Sequence, residues 1–369
     1  MRSIRFLRMA LAAVVAAICA TCSSVGPYDI PVTDLPVIAL TLPGDGYSQL
    51  IKGTYLNDWV AAVAMVGGQR YEGRMRISGQ ITRHDPKKSY KLVLTRGFDP
   101  LSVQHAYVFS AQFRDESFVR HRLATHLFTK AGLRCSRVRP VELFIDGEPH
   151  GLYLECEPVD SAFFITRNLP ISSLYEVNCR ARLDQADLML AEQAFEKQLP
   201  DDDHCYADLT ELLRVVTHGI TEDNLRVLGR ILDVENALNY YAAVLLTDNA
   251  DGVRNNYYLY LNPLTARFEL IPWDLDQTFK SPSGTLSTYE NGLFEQLMAI
   301  PSCRAYVVRR LHELFCLEEA LALVDSFATE VRPCYNRDPY LTVAGMNQDS
   351  AVAHVREYLR GFAALLQDL

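Results

Sequence analysis

Between Leu245 and Phe279 the chain reads LLTDNADGVRNNYYLYLNPLTARFELIPWDLDQTF, and this stretch constrains the fold more than any other. Tyr257 to Asn262 and Arg267 to Ile271 are two runs rich in aromatic and branched residues separated by a short turn, so they form an antiparallel hairpin. A short polar loop holding Asp251 and Asn256 precedes the hairpin, and Asp274 and Asp276 follow it. Hard oxygen ligands on either side of a tight hairpin can converge on one hard cation. Mg²⁺ typically takes one or two carboxylates and completes its shell with waters and phosphate oxygens. In an extended segment Asp276 points the same way as Asp274, which favours shared ligation. Trp273 beside the pair predicts a partly buried acidic site, because a buried carboxylate needs a partner.

At 369 residues the chain exceeds what one hydrophobic core usually supports, so two lobes are expected. A hydrophobic fraction of 49% argues for a packed protein, and a net charge of -9 with no long basic run excludes a nucleic-acid footprint. Arg2, Arg5 and Arg8 precede an apolar run from Met9 to Ala20, too short for a comfortable membrane span. Residues 1–25 therefore read as a signal peptide, and the protein as exported to the periplasm, the cell surface or the medium. Cys19 and Cys22 offer a lipidated N-terminal cysteine, hence membrane attachment as a lipoprotein, although Ile18 and Thr21 before them are larger than that signal prefers. Seven further cysteines follow; six can pair in an oxidising compartment or pack as small apolar residues, and no C-x-x-C pair marks a zinc site.

The first half carries strand patterns: Val37–Leu42, a hairpin over 58–78 turning at Gly67-Gly68, Ser89–Thr95, and Val138–Ile145 with Gly151–Glu155 joined through Asp146-Gly147. One helical period, Ser117–Ala131, interrupts them. From Asp160 onward helices dominate, predicted over 187–198, 206–216, 222–231, 234–246, 292–299, 303–315, 318–330 and 351–367, with Thr221 and Asp233 as N-caps. The expected fold class is α+β, with an antiparallel N-lobe over about 34–158 and a mainly helical C-lobe over about 159–369.

The spacing Asp251-x-x-x-x-Asn256, a hairpin, then Asp274 also occurs in the catalytic loop of protein kinases. Four segments together resemble the CotH kinases, a family similar in fold to atypical secreted protein kinases: RMRISGQITRHDPKKSYKL at 74–92, RDESFVRHRLATHLF at 114–128, VELFIDGEPHGLYLECEPVD at 141–160, and the stretch from Asp251 to Phe279. The resemblance implies a two-lobed kinase-like fold and the use of ATP with Mg²⁺ (or Mn²⁺) to phosphorylate Ser or Thr of a partner protein, here an extracytoplasmic one. It implies Lys88 as the phosphate-contacting lysine, Asp251 as the catalytic-loop aspartate, Asn256 as a metal ligand and Asp274, with Asp276, as the principal Mg²⁺ ligand. Many relatives carry Arg before the glycine that is Gly79 here; Ser78 stands in its place, which leaves Arg76 or Arg83 for a phosphate contact.

If Ser89–Thr95 is a strand, Lys88 shares the apolar face with Tyr90 and Leu92 and Lys91 takes the other, so Lys91 is the reserve. The predicted helix has no interior carboxylate to pair with that lysine, leaving Glu116, Glu155 and Glu157. In a kinase-like fold the Glu155-Cys156-Glu157-Pro158 connector would line the base. His121 and His126, five apart, read as surface or packing residues. Two rivals stay open: a metal- and nucleotide-dependent glycosyl or nucleotidyl transferase, for which Asp274-Leu-Asp276 also fits, and a non-catalytic surface or coat scaffold. The oligomeric state is open.

Overall fold

The computed structural model describes residues 35–98, 103–177, 181–184, 192–200, 204–281 and 291–368. The predicted signal peptide, Cys19, Cys22, Cys179 and the first part of the helix expected at 187–198 lie outside these.

Seven strands build the N-lobe: β1 (Val37–Thr41), β2 (Val60–Val66), β3 (Gln69–Ser78), β4 (Ser89–Leu94), β5 (Ala106–Ser110), β6 (Val138–Ile145) and β7 (Glu148–Cys156). They run in the order β1-β2-β3-β4-β5-β7-β6, and β6 returns to pair with β1 in parallel, so the sheet closes into a barrel. Closure removes the free edges that an open sheet would expose. Alternation explains the filling: Ile38, Leu40, Ala62, Ala64, Met75, Ile77, Tyr90, Leu92, Phe109, Leu143 and Tyr153 all turn inward and pack into one core. Helix α1 (Gly46–Lys52) follows β1, and α2 (Arg120–Lys130) separates β5 from β6.

The C-lobe contains α3 (Ser161–Ile165), β8 (Leu174–Val177), β9 (Phe195–Leu199), α4 (Ala207–Thr217), α5 (Leu225–Leu228), α6 (Val234–Thr247), α7 (Asp251–Arg254), β10 (Tyr257–Asn262), β11 (Arg267–Pro272), α8 (Phe294–Ala299), α9 (Pro301–Leu314), α10 (Leu317–Tyr335), α11 (Pro339–Val343) and α12 (Gln348–Gln367). Helix α6 is capped by Asp233, as expected, through its bond from Asn236 N, and nearly all of its residues from Ala237 onward are buried. A helix apolar on every side belongs at the centre of a core. Two expectations fail. Of the helix expected over 187–198, residues 192–194 are helical but Phe195–Leu199 form strand β9, because pairing with β8 buries Phe195 and Leu199 on its ends. The helix at 222–231 shrinks to the single turn of α5, and Thr221 does not cap it: Asn224 Oδ1 accepts from Thr221 N and its amide donates to Gly219 O. No disulfide joins two described cysteines; Cys156, Cys303 and Cys334 are buried, and the Cys334 sulfur accepts from Arg337 Nη2 beside Glu142.

The barrel is fastened to the C-terminal helices by a buried ion pair. Lys87 Nζ donates to Leu152 O and pairs with Asp338 Oδ2 at 2.6 Å, both side chains fully buried. The same oxygen accepts from Leu152 N, while Oδ1 caps α11 through Tyr340 N and Leu341 N. Gly151, at φ +88, leaves no room for a Cβ, which would meet the Asp338 carboxylate at 2.1 Å. Burial pulls the Lys87 amine down to about 8 although Asp338 opposes it. Beside the pair, His150 packs among Tyr47, Tyr90 and Tyr340 and is held at about 4, mainly by burial.

Removing one member of a buried pair leaves the other uncompensated, so Lys87→Met is expected to cost about 3–5 kcal/mol in urea unfolding, and Lys87→Met with Asp338→Leu clearly less. A neutral buried histidine gives a second test. The unfolded chain binds a proton at His150 below about 6.5 and the folded one only below about 4, so stability falls as pH drops through that window, by about 3 kcal/mol for such a residue. His150→Phe should flatten that part of the pH–stability curve.

Candidate active site

A cleft of about 470 Å³ lies between the outer face of the barrel and the face of the β11-β10-β8-β9 sheet. Its roof is one row of directly paired residues, Arg76 on β3, Lys91 on β4, Val108 on β5 and Cys156 on β7. Paired residues in adjacent strands share a face, so the row carries two cations at one end and two apolar side chains at the end nearest the connector. Its floor is a second row: Glu196, Glu176, Tyr258 and Ile271 on β9, β8, β10 and β11. At the mouth, Asn256, Trp273, Asp274 and Asp276 complete the lining.

The hairpin delivers its acids by a turn, not by an extended segment. Asn256 and Asp274 both take the left-handed conformation, at φ 51, tolerated best by Asn and Asp, and Trp273 N donates to Asn256 O at 3.0 Å. The two residues therefore flank the hairpin's base. Asp274 is partly and Asp276 deeply buried. Burial, then the neighbouring Asp251, raises the Asp274 carboxyl to about 6; burial and Asp274 hold Asp276 well above the usual carboxylate range. Asp251 heads α7 and does not line the cleft; its carbonyl accepts from Asn255 N, while its carboxylate accepts no hydrogen bond from a described residue. Its competitors are used structurally: Asn249 Oδ1 accepts from Gly252 N, and Asp248 ends α6 in the left-handed region while its Oδ2 accepts from Ser281 N.

The donors present fit a hard divalent ion: two carboxylates and an amide oxygen, with excess negative charge between them. Among the described residues no group of three or more His, Cys, Asp or Glu forms a complete cage.

The structure redistributes the other candidates. Lys88 does not line the cleft: its Nζ donates to the carbonyls of Arg83 and Asp85, closing the C-terminal end of the turn Ile81–His84. The expected inward face is the filled barrel interior, so the cleft belongs to the opposite face and to Lys91. Lys91 forms no ion pair with a described residue and its amine is pulled down by burial and by Arg76. Arg76 bonds Asn57 Oδ1, and burial followed by Arg83 lowers its guanidinium. Arg83 staples the 79–88 loop by reaching Thr54 O and Gly79 O. Gly79 is required there, since a Cβ would sit 2.1 Å from Thr82 Oγ1.

Neither Glu155 nor Glu157 lines the cleft. Glu155 pairs with Arg139, and Glu157 with Arg137 and Arg167, on the far side of the connector, while the intervening Cys156 and Pro158 face the cleft. Glu116 Oε2 accepts from Asn347 N instead. Of the two readings of His121, packing is the one that holds: it is buried, lines the cleft beside Gln112 and is held at about 4 by burial. His126 pairs with Glu319 at the surface. Sequence reasoning missed Asp160, Glu176 and Glu196. Asp160 was legible as an N-cap, accepting from Ala162 N and Phe163 N; the two glutamates were hidden because β8 and β9 were not recognised as strands.

Residues 75–365 match the family described as CotH kinase protein. The chain belongs to that family. It is 23% identical over 359 residues to the inner spore coat protein H of Bacillus subtilis (strain 168), covering 91% of this chain and 98% of that one. The proinflammatory kinase CtkA of Helicobacter pylori shares 11% identity and a TM-score of 0.32, over 72% of this chain and 94% of that chain. The protein is thus kinase-like by family, and α+β with two lobes by structure.

Because Asp274 and Asp276 repel each other without a cation, Asp276→Asn should raise metal-free stability by about 1 kcal/mol, read as a higher melting temperature. An unchanged or lower melting temperature would show that the pair is already compensated.

Proposed function

We propose that the protein is an exported, ATP-dependent protein kinase that transfers the γ-phosphoryl group to Ser or Thr of an extracytoplasmic protein. The observation that carries this is the polarity of the cleft: cations and apolar side chains along one roof row, facing Asn256, Asp274 and Asp276. A nucleotide matches that order, with its base against Val108, Cys156 and Tyr258 and its phosphates toward Lys91 and Arg76. Asn256, Asp274 and Asp276 would hold Mg²⁺, which when bound spreads the charge of the phosphates.

Phosphoryl transfer needs positioning and charge stabilisation more than covalent help. Lys91 and Arg76 neutralise phosphate oxygens in a partly dry cleft, where each contact is worth more than in water. Asp251, whose carboxylate acts on Asp274 and accepts no hydrogen bond from a described residue, orients the acceptor hydroxyl and takes its proton. The 79–88 loop covers the cleft where a glycine-rich loop would lie. Export rests on the N-terminal sequence alone, and the acceptor's location follows from it.

The sugar-nucleotide alternative loses its structural premise, because the sheet flooring the cleft is antiparallel throughout its described pairs. A coat scaffold remains the second reading, favoured by the name of the Bacillus relative.

Thermal-shift titration of the full-length protein separates them. A ligand bound only by the folded state stabilises by about 2.7 kcal/mol at a hundredfold excess over Kd. ATP with Mg²⁺ or Mn²⁺ should stabilise the wild type, Asp274→Ala should lose the metal-dependent part, and Lys91→Met should weaken nucleotide binding. Lys88→Met should bind as wild type. Failure of every nucleotide and metal to shift the wild type would favour the scaffold.

A further inference from the structure

The lysine on the cleft roof lacks the partner that kinases normally supply. In protein kinases a helix carboxylate of the same lobe pairs with the phosphate-contacting lysine. Here α2 brings His121 to the cleft, buried and neutral, and none of Glu116, Glu155 and Glu157 reaches it. The acidic groups that act on Lys91 come from elsewhere: Asp160 at the start of α3, with the larger pull, and Glu176 on β8 in the opposite sheet. Arg76 on β3 is the cation beside it, while β5 and β7 contribute the uncharged Val108 and Cys156.

The two acids differ in what they are free to do. Asp160 Oδ1 is engaged by the backbone N–H groups of Ala162 and Phe163, so its carboxylate is tied to the helix terminus. Glu176 accepts a single bond, from Gln198 Nε2 at 3.0 Å, and otherwise faces the cleft. Directly across the ladder stands Glu196, also in the cleft. Like charges facing each other in adjacent strands destabilise a sheet, so this pair is retained at a cost that packing does not explain.

We infer that Glu176 is the positioning carboxylate for Lys91, supplied across the cleft by the C-lobe, with Glu196 setting how much of its charge is available. This rests on Lys91 being the phosphate-contacting lysine and deepens the nucleotide reading. Its consequence is geometric: the lysine is oriented only while barrel and floor face each other. Burial, then Glu196, and less strongly Asp274 hold the Glu176 carboxyl up at about 7, with Lys91 opposing the shift; Glu196, directly across the ladder, is the largest of the charges acting on it.

The test is the reactivity of Lys91 in the nucleotide-free, full-length protein. Reductive dimethylation with formaldehyde and cyanoborohydride over a pH series, read peptide by peptide by mass spectrometry, reports each amine's protonation, with Lys88 as internal reference. Glu176→Gln removes an attractive charge, so the Lys91 labelling curve should move to lower pH and labelling at a fixed pH below the midpoint should rise severalfold. Glu196→Gln lets Glu176 ionise more fully and should move the curve the other way. Glu176→Asp should restore the wild-type direction, and Lys88 should label alike in all four proteins. An unmoved Lys91 curve in folded Glu176→Gln, or the same direction of shift in both glutamine variants, overturns the assignment. No nucleotide is present, so this outcome stands apart from the ATP titration that decides the function.

Discussion

The buried pair of Lys87 and Asp338 sets the relation between the lobes on which the cleft depends. Neither charge reaches water, and Asp338 also satisfies two N–H groups of α11 and one of β7. Sliding the barrel on the C-terminal helices would strand a charge and three backbone donors together, a far larger penalty than losing surface contacts. Arg337 and the buried Glu142 add a second tie on the same side. The 79–88 loop is held differently: Arg114, half-exposed, closes on Asp85 through a bidentate pair, and Lys88 and Arg83 hold the loop by carbonyl bonds. Partly exposed pairs contribute less than the fully buried one, so the loop yields before the Lys87–Asp338 junction does.

Within that frame the cleft stores electrostatic tension. Two cations sit together on the roof, and Asp274 and Asp276 line the same cavity with Asp251 acting on Asp274 from behind the lining, burial raising both lining carboxyls. A fold selected for stability alone would neutralise such groups, as it has neutralised Glu155 and Glu157 with arginines on the far side of the connector. The contrast between those satisfied acids and the unsatisfied ones facing the cleft marks the site more clearly than any motif does.

Much of this was legible from local pattern. The hairpin, its flanking acids, the capped α6 and most barrel strands follow from period and turn chemistry over a few residues. What was not legible depends on pairing at a distance. Lys88 and Lys91 are three apart in sequence, and choosing between them needed the knowledge that the sheet closes, which turns the apolar face into a sealed interior and the other face into the cleft. The strand β9 looks helical by composition and becomes a strand because β8 is there to pair with it. Glu176 and Glu196 matter only as a cross-strand couple, and nothing in either segment alone announces that. For His121, surface and packing stay equally open until α2 is docked.

The distribution of charge also bears on why nucleotide and metal would enter together. Phosphates brought to Lys91 and Arg76 approach Asp274 and Asp276 at the same time, since all line one cavity. An uncompensated polyanion there meets carboxylates in a partly buried setting, where Coulomb repulsion is poorly screened. Coordinated to a divalent cation, the same phosphates turn that repulsion into attraction, and the two acids regain the charged state that burial and proximity oppose. On the proposed reading, the roof alone would bind any small polyanion, and adding Asp274 and Asp276 to the lining would make the cleft select those that carry their own cation, by building repulsion against the bare form.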